Sequence, residues 1–412
     1  MTTAIRIRMY RPGFGDCFLI RFLSEEGPRH ALIDFGAHMH GEIGTMDEIM
    51  DDIEAETGKK LAFVIATHAH RDHISGFGKF AARFSEFAIG EVWLPWTDNP
   101  KDPDARTFAK KHLALYDTLL THLRLSFGAT IENPGAFAMA MDALSNLAGN
   151  QKATSELARG FGTGAGVRYL QAGDKLPRAG GVPGLSAEIQ GPSRDKSFLT
   201  RMDPPSDQHF LAEPGAVSNS LRPFPQLEIK KDDADYQVIL QLGQPVLGDK
   251  ELEILHGLAE APVERLALAL DNVRNNTSLV IAFRYQGRTM LFPGDAQWGN
   301  WQSWIGTTEA KDLLSEVDFL KIAHHGSENA TPVDVVNALR TDGLAAVVPT
   351  QIKPFPTIPR MPLLDALEKH CVGHVAVRSD WIDVSGAPSG PTPVPEFPKN
   401  FTVGKFWIDY EF

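Results

Sequence analysis

The chain switches between two hydrophobic rhythms. "AIRIRMY" at 4–10 alternates apolar and polar positions, "RPGFGD" is turn-rich, and "CFLIRF" at 17–22 is apolar, which predicts a β-hairpin. "HALIDFG", His30 to Gly36, reads as a buried strand. Met46, Ile49, Met50 and Ile53 then fall at helical spacing, with Gly58 as a stop. "LAFVIA" at 61–66 is another buried strand. Ile74, Phe77, Phe80 or Ala81, and Phe84 mark one helical face, and "IGEVWLPW" is a further strand. Residues 1–96 therefore read β-β-β-α-β-α-β, an α/β layout.

The rhythm breaks after this point. Residues 97–166 carry two helical patterns separated by Gly and Asn, and are read as a helical insertion. Residues 167–194 return to a strand pair. Residues 195–270, with "MDPPSD" and "RPFPQ", form a second, mixed insertion. The α/β pattern resumes over 271–386. "SLVIAFRY" and "TMLFPGD" are strands joined by a "QGR" turn, and strands "DFLKIA", "GLAAVVPT" and "GHVAVR" alternate with helices. Residues 387–412 comprise a Pro-rich surface connection and a closing edge strand, "KFWIDYEF".

With 412 residues, 43% of them hydrophobic and 22% charged, the chain has ample material for a packed core. Acidic residues (52) outnumber Lys plus Arg (40), so the net charge is -12. Broad neutralisation of duplex phosphates needs a basic surface, which disfavours long duplex nucleic acid as a partner. The two cysteines, Cys17 and Cys371, form no C-x-x-C pair. A disulfide framework and a thiolate metal site are therefore not expected. The opening segment lacks a secretory pattern, and no apolar run reaches membrane-spanning length, so a cytoplasmic protein without membrane partners is expected.

The candidate chemistry sits at strand ends. "THAHRDH" places His68, His70, Asp72 and His73 within six positions, directly after a buried strand. In such a tight loop His68 and His70 can hold one metal, and Asp72 and His73 a neighbouring one. Imidazole and carboxylate suit zinc and comparable transition metals. Asp295 ends the strand "TMLFPGD", and its two oxygens can bridge two cations. "KIAHHGSEN", Lys321 to Asn329, again follows a buried strand. Side chains alternate along an extended segment, so one of His324 and His325 ligates while the other faces substrate or a carboxylate behind the ligands.

These segments, in this order, resemble the metallo-β-lactamase superfamily. "GFGD" at Gly13 to Asp16, "LIDFG" at Leu32 to Gly36, "NNTSLV" at Asn275 to Val280 and "LKIAHHGS" look most like the group containing the ComEC-like hydrolase domain and the phosphorylcholine esterases. The resemblance covers about 1–95, 167–194 and 271–380 and leaves the insertions uncovered. It implies a four-layer αββα sandwich with helical and mixed insertions. His68 and His70 would carry the first metal, Asp72 and His73 the second. Asp295 would bridge, and His325 would complete the second site.

The superfamily's fuller pattern has one more histidine, between the first motif and the bridging Asp. His112, His122, His209 and His256 are the histidines available, none at a strand end; Asn276 or Ser278 would line that corner instead. Asp16 and Asp34 are expected to orient ligands or turns, and His38 and His40 to lie on a rim loop. Trp298, Trp301 and Trp304 read as a core stripe, and Arg360 and Arg378 as surface charge.

The expected activity is metal-dependent hydrolysis, with two divalent ions, zinc foremost and manganese the other candidate. Metal-activated water would attack a phosphodiester or related phosphate ester, nucleotides and nucleic acid among the substrates considered. The catalytic set would be Asp72, Asp295, His324, Lys321 and Ser327, the last three stabilising developing charge. Two other readings stand beside it: hydrolysis of a carboxylic ester, thioester or lactam, and a metal-binding sensor or regulatory protein without significant turnover.

Overall fold

The computed structural model describes residues 4–41, 43–113, 150–201, 204–210, 273–351, 358–371, 377–380 and 400–412. The first sheet runs β16 (Phe401–Val403), β17 (Trp407–Glu411), β1 (Ile5–Tyr10), β3 (Cys17–Ser24), β4 (Gly27–Phe35), β6 (Lys60–Ile65), β7 (Ala88–Pro95), β8 (Gly166–Leu170). The second runs β15 (Val377–Arg378), β14 (Ala345–Val348), β13 (Val317–Lys321), β12 (Arg288–Phe292), β11 (Val280–Tyr285), β10 (Ser186–Gly191), β9 (Lys175–Leu176). A short ribbon pairs β2 (Gly13–Phe14) with β5 (Met39–His40).

The two sheets bury their facing apolar rows against one another. Ile7, Phe18, Phe63 and Trp93 from the first meet Phe283, Phe292 and Phe319 from the second. On the outer side of the first sheet lie α1 (Met46–Thr57), α2 (Arg71–Lys79), α3 (Ala81–Phe84) and α4 (Gln151–Ala158). On the outer side of the second lie α5 (Trp298–Gln302), α6 (Thr308–Ser315), α7 (Val333–Ala338) and α8 (Met361–Glu368). The result is the expected four-layer αββα sandwich. No helix among the described residues is long and apolar enough to cross a membrane.

Local chemistry accounts for the element ends near the site. Thr45 and Glu48 form a capping box at the start of α1, and Gly58 ends that helix in the left-handed conformation with φ 55. The β11–β12 hairpin turns at Gln286 and Gly287, both at positive φ.

Several elements differ from the pattern reading. The helix after the histidine cluster begins at Arg71, inside the cluster, and breaks at Phe80. Residues 167–194 do hold an antiparallel strand pair, β9 with β10, and a further strand, β8, that leaves it for the other sheet. β8 lies parallel to β7 in the first sheet, whereas β10 lies antiparallel to β11 in the second. Local alternation identifies a strand but not its neighbour, which is set by the long-range register. The closing strand β17 is internal, because β16 covers its outer side. Arg8 stands opposite Asp409 across β1 and β17 and grips it with two bonds of 2.7 and 2.8 Å. Residues 103–113 and α4 are helical parts of the first insertion; 114–149, most of 195–270 and the Pro-rich 387–398 lie outside the described residues.

Candidate metal centre

The loop after β6 and the loops after β12 and β13 meet at one end of the sandwich. Asp72, His73, Asp295 and His325 are all buried there, and one ligand atom from each lies within 4.8 Å of the others. His73 Nε2 is 3.0 Å from Asp295 Oδ2. His325 Nε2 is 3.1 Å from Asp72 Oδ2 and 3.5 Å from Asp295 Oδ2.

The outer nitrogens of both rings are tied down. His73 Nδ1 donates to Asp34 Oδ2 at 2.8 Å, and His325 Nδ1 donates to the Pro349 carbonyl at 2.8 Å. In the neutral rings this leaves each Nε2 as a lone pair facing carboxylate oxygens. Acceptors facing acceptors in a buried site require a cation, either a proton or a metal. Asp72 Oδ1 is also buried with no hydrogen-bond partner among the described residues. These residues fit a divalent metal ion.

The electrostatics agree. Burial works against charged His73, but Asp295, Asp16, Asp34 and Asp72 outweigh it and hold its pKa well above the usual value. His325 is raised in the same way: Asp295, Asp72 and Asp16 outweigh burial. Burial also works against ionised Asp72 and Asp295. The charges of His73 and His325 prevail at both, with Lys321 adding to them at Asp295, so both carboxyls stay ionised well below the usual range.

His68 and His70 form a different pair. His68 Nε2 lies 2.9 Å from His70 Nδ1, so two ring nitrogens converge on one point. Burial pushes His68 far down and His70 down to about 3. Both are neutral imidazoles, the protonation state a metal ligand needs. The ring of His73 lies beside His68, with centroids 4.2 Å apart, but neither of the described candidates for a middle histidine joins the pair. His209 bonds the Pro204 carbonyl at 2.7 Å, and His112 stacks on Phe108. His122 and His256 lie outside the described residues.

Asn276 turns away from the corner suggested for it. Asn276 staples residues 199–201 to 297–300 through both ends of its amide. The Ser278 hydroxyl accepts from the Asp295 backbone N–H at 3.1 Å.

The two adjacent histidines separate as expected, but not by strand alternation. His324 and His325 sit in a tight turn at φ 44 and φ 52, followed by Gly326 at φ 77. Three of the six non-glycine residues at positive φ among the described residues belong to this site, Asp34 being the third. The turn sends His325 into the ligand set and leaves His324 beside it. His324 is framed by Ser327 Oγ at 2.8 Å, Gln297 Nε2 at 3.3 Å and Asn275 Nδ2 at 3.2 Å.

Lys321 lies behind Asp295, 1% exposed, and gives its ammonium to Asp16 Oδ2 at 2.6 Å, the Gly294 carbonyl at 2.8 Å and Asp295 Oδ1 at 3.0 Å. All three donors are committed, so Asp295 presents Oδ2 alone to His73 and His325. Asp16 and Asn275 stand in the "GFGD" and "NNTSLV" segments, but their partners Lys321 and His324 could not be read from the sequence, and Gln297 carried no motif signal; only proximity in space marks these contacts.

The remaining candidates sit elsewhere. His38 is buried at 7% exposure; the side chain of His40 lies outside the described set. Trp301 and Trp304 are in the core under α5, as the stripe suggested. Arg378 is not surface charge: it is 6% exposed and forks onto Asp380. Arg360 pairs with Glu328.

Glycines let the loops close over one another. A Cβ at Gly36 would stand 2.3 Å from the Asp72 carbonyl carbon and 2.4 Å from the His73 nitrogen. A Cβ at Gly15 would stand 2.4 Å from the Gly36 carbonyl oxygen. The "GFGD" and "LIDFG" segments thus form the floor on which the Asp72–His73 backbone rests.

A search of curated proteins finds no match. A family model, the metallo-beta-lactamase superfamily, matches residues 10–128, the stretch that carries His68, His70, Asp72 and His73. With the αββα sandwich and the buried His/Asp cluster, that match supports the metallo-β-lactamase superfamily for this chain, and with it a metal-dependent hydrolase, the kind of enzyme its members generally are.

Proposed function

We propose that this protein hydrolyses a phosphodiester or related phosphate ester, using two divalent ions, zinc foremost. The observation that carries the hydrolase reading is the buried set Asp72, His73, Asp295 and His325, drawn from both halves of the chain, with both histidines locked in the ligand tautomer. The phosphate preference rests on the likeness of "GFGD", "NNTSLV" and "LKIAHHGS" to a group that acts on phosphate esters.

Asp72, His73, Asp295 and His325 would hold one ion, and His68 and His70 would contribute to holding the other. Bound there, divalent metals supply Lewis acidity and bring the pKa of a coordinated water towards about 7. The chain's own residues do the rest. Asp34 and the Pro349 carbonyl fix the two ligand rings. Lys321 holds Asp295 in one rotamer and neutralises its far oxygen. His324, framed by Asn275, Gln297 and Ser327 and adjacent to His325, stabilises charge on the reacting oxygen.

The test is turnover of bis(p-nitrophenyl) phosphate beside p-nitrophenyl acetate, a thioester and a lactam, with and without chelation, on the wild type and Asp295→Ala. Phosphodiester hydrolysis that both chelation and the substitution abolish is expected. Activity surviving both would remove the metal mechanism. Activity confined to the carboxylic ester, thioester or lactam would remove the phosphate assignment.

A further inference from the structure

A cavity of about 420 Å³ opens beside His68, within the range that holds a small organic ligand. Most of its wall is apolar: Ile74 from α2, Leu94 at the end of β7, Ala105 and Ala109 from the helical stretch 103–113, and Leu157 from α4. Its charged lining consists of Arg106, Arg274 and Asp98. Two positive groups against one negative leave the cavity net cationic, within a chain of net charge -12.

Two polar groups have capacity to spare. The one ion pair of Arg274 among the described residues is to Asp98 Oδ1, at a long 3.4 Å, and each side chain is 17% exposed. A guanidinium has five donors, so this contact leaves most of them for a ligand. Burial raises the Asp98 carboxyl from its ordinary value, with Arg274 opposing the shift. Thr97 also lines the cavity. It is 1% exposed, and its buried hydroxyl has no hydrogen-bond partner among the described residues. A buried hydroxyl without a partner is costly unless something in the cavity bonds it.

We infer that this cavity is the binding pocket for an anionic organic ester, its oxyanion held by Arg274 and the Thr97 hydroxyl and its apolar body lying along Ile74, Leu94 and Leu157. The inference rests on the hydrolase reading for the word ester, and adds to it a recogniser outside the ligand set. The position of His68 in the cavity wall joins the pocket to the metal centre.

Equilibrium binding to the purified full-length chain tests this, with phenyl phosphate, inorganic phosphate and phenol as probes. The wild type is expected to bind phenyl phosphate about tenfold or more tighter than either fragment, since a charge-assisted contact and a buried ring each contribute that order. Arg274→Gln should remove about tenfold from phenyl phosphate, with Arg274→Lys keeping part of it. Ala109→Trp, at the exposed mouth, should reduce phenyl phosphate to the level of inorganic phosphate. The wild-type comparison needs no variant, so a poorly folding substitution does not rescue the idea. Equal binding of phenyl phosphate and inorganic phosphate, no binding of phenyl phosphate, or unchanged affinity in a folded Arg274→Gln would each overturn it. Because binding is the readout, the pocket can fail while chelator-sensitive turnover stands, and can stand if no ester is turned over.

Discussion

His325 Nε2 lies 3.1 Å from Asp72 Oδ2, although the two residues are 253 positions apart in the chain. The contact closes the ligand set across the two sheets, and it separates His325 from its neighbour His324.

That separation predicts opposite phenotypes for adjacent residues. His325→Ala should lose about one equivalent of tightly bound metal, because a ligand is gone and Asp72 is left with a buried charge. His324→Ala should keep the metal content of the wild type and lose about a hundredfold in turnover. Metal analysis beside kinetics reads both, and equal metal loss in the two variants would contradict the assignment.

Among the described residues, Lys321 is the sole ammonium beside Asp16, Asp295 and the Gly294 carbonyl. Lys321→Met should cost roughly 3–5 kcal/mol in urea unfolding, because two carboxylates stay buried without their counter-charge. Adding Asp16→Asn should recover part of that loss. A single substitution that leaves the midpoint in place would show that metal alone balances the carboxylates.

His30 gives a pH signature remote from the metal. Burial first, then the charge of Arg6, lowers its pKa to about 4, below the value near 6.5 of an unfolded histidine. The unfolded chain therefore binds the extra proton between those values. The stability held by neutral His30 is complete above about pH 6.5 and declines as pH falls towards about 4, by about 3 kcal/mol in all. The difference in unfolding free energy between wild type and His30→Phe should move towards the variant over that window. A difference independent of pH would exclude His30 as the source.

Gly36 is a packing requirement. Gly36→Ala drives a methyl into the Asp72–His73 backbone at 2.3–2.4 Å. About 1–3 kcal/mol of stability should be lost, together with metal affinity, as the ligand loop is displaced. Thermal unfolding with and without zinc separates the two effects, and a variant that binds zinc as the wild type does would show that the loop can yield.

Much of the framework was legible because it is local. Apolar runs at 30–36, 61–66, 278–285 and 318–323 announce strands, and Gly58 marks the end of α1. His68, His70, Asp72 and His73 cluster in sequence, so their chemistry could be read without coordinates. Strand neighbours could not. β8 and β10 are close in the chain yet belong to different sheets, because register depends on which distant faces pack together.

The sequence by itself determined the inventory: the ligand residue types, the strand ends that carry them, and the glycines that let loops approach. Tertiary structure decided which of those groups meet. It placed His325 rather than His324 with Asp72, set Lys321 behind Asp295 and fixed it to Asp16, and turned Asn276 away from the ligands into a staple between loops. It also brought Arg274 and Thr97 to the cavity beside His68. The reason is physical. Ligand identity is a property of single residues, whereas charge compensation in a buried site is a property of groups brought within a few ångströms by packing.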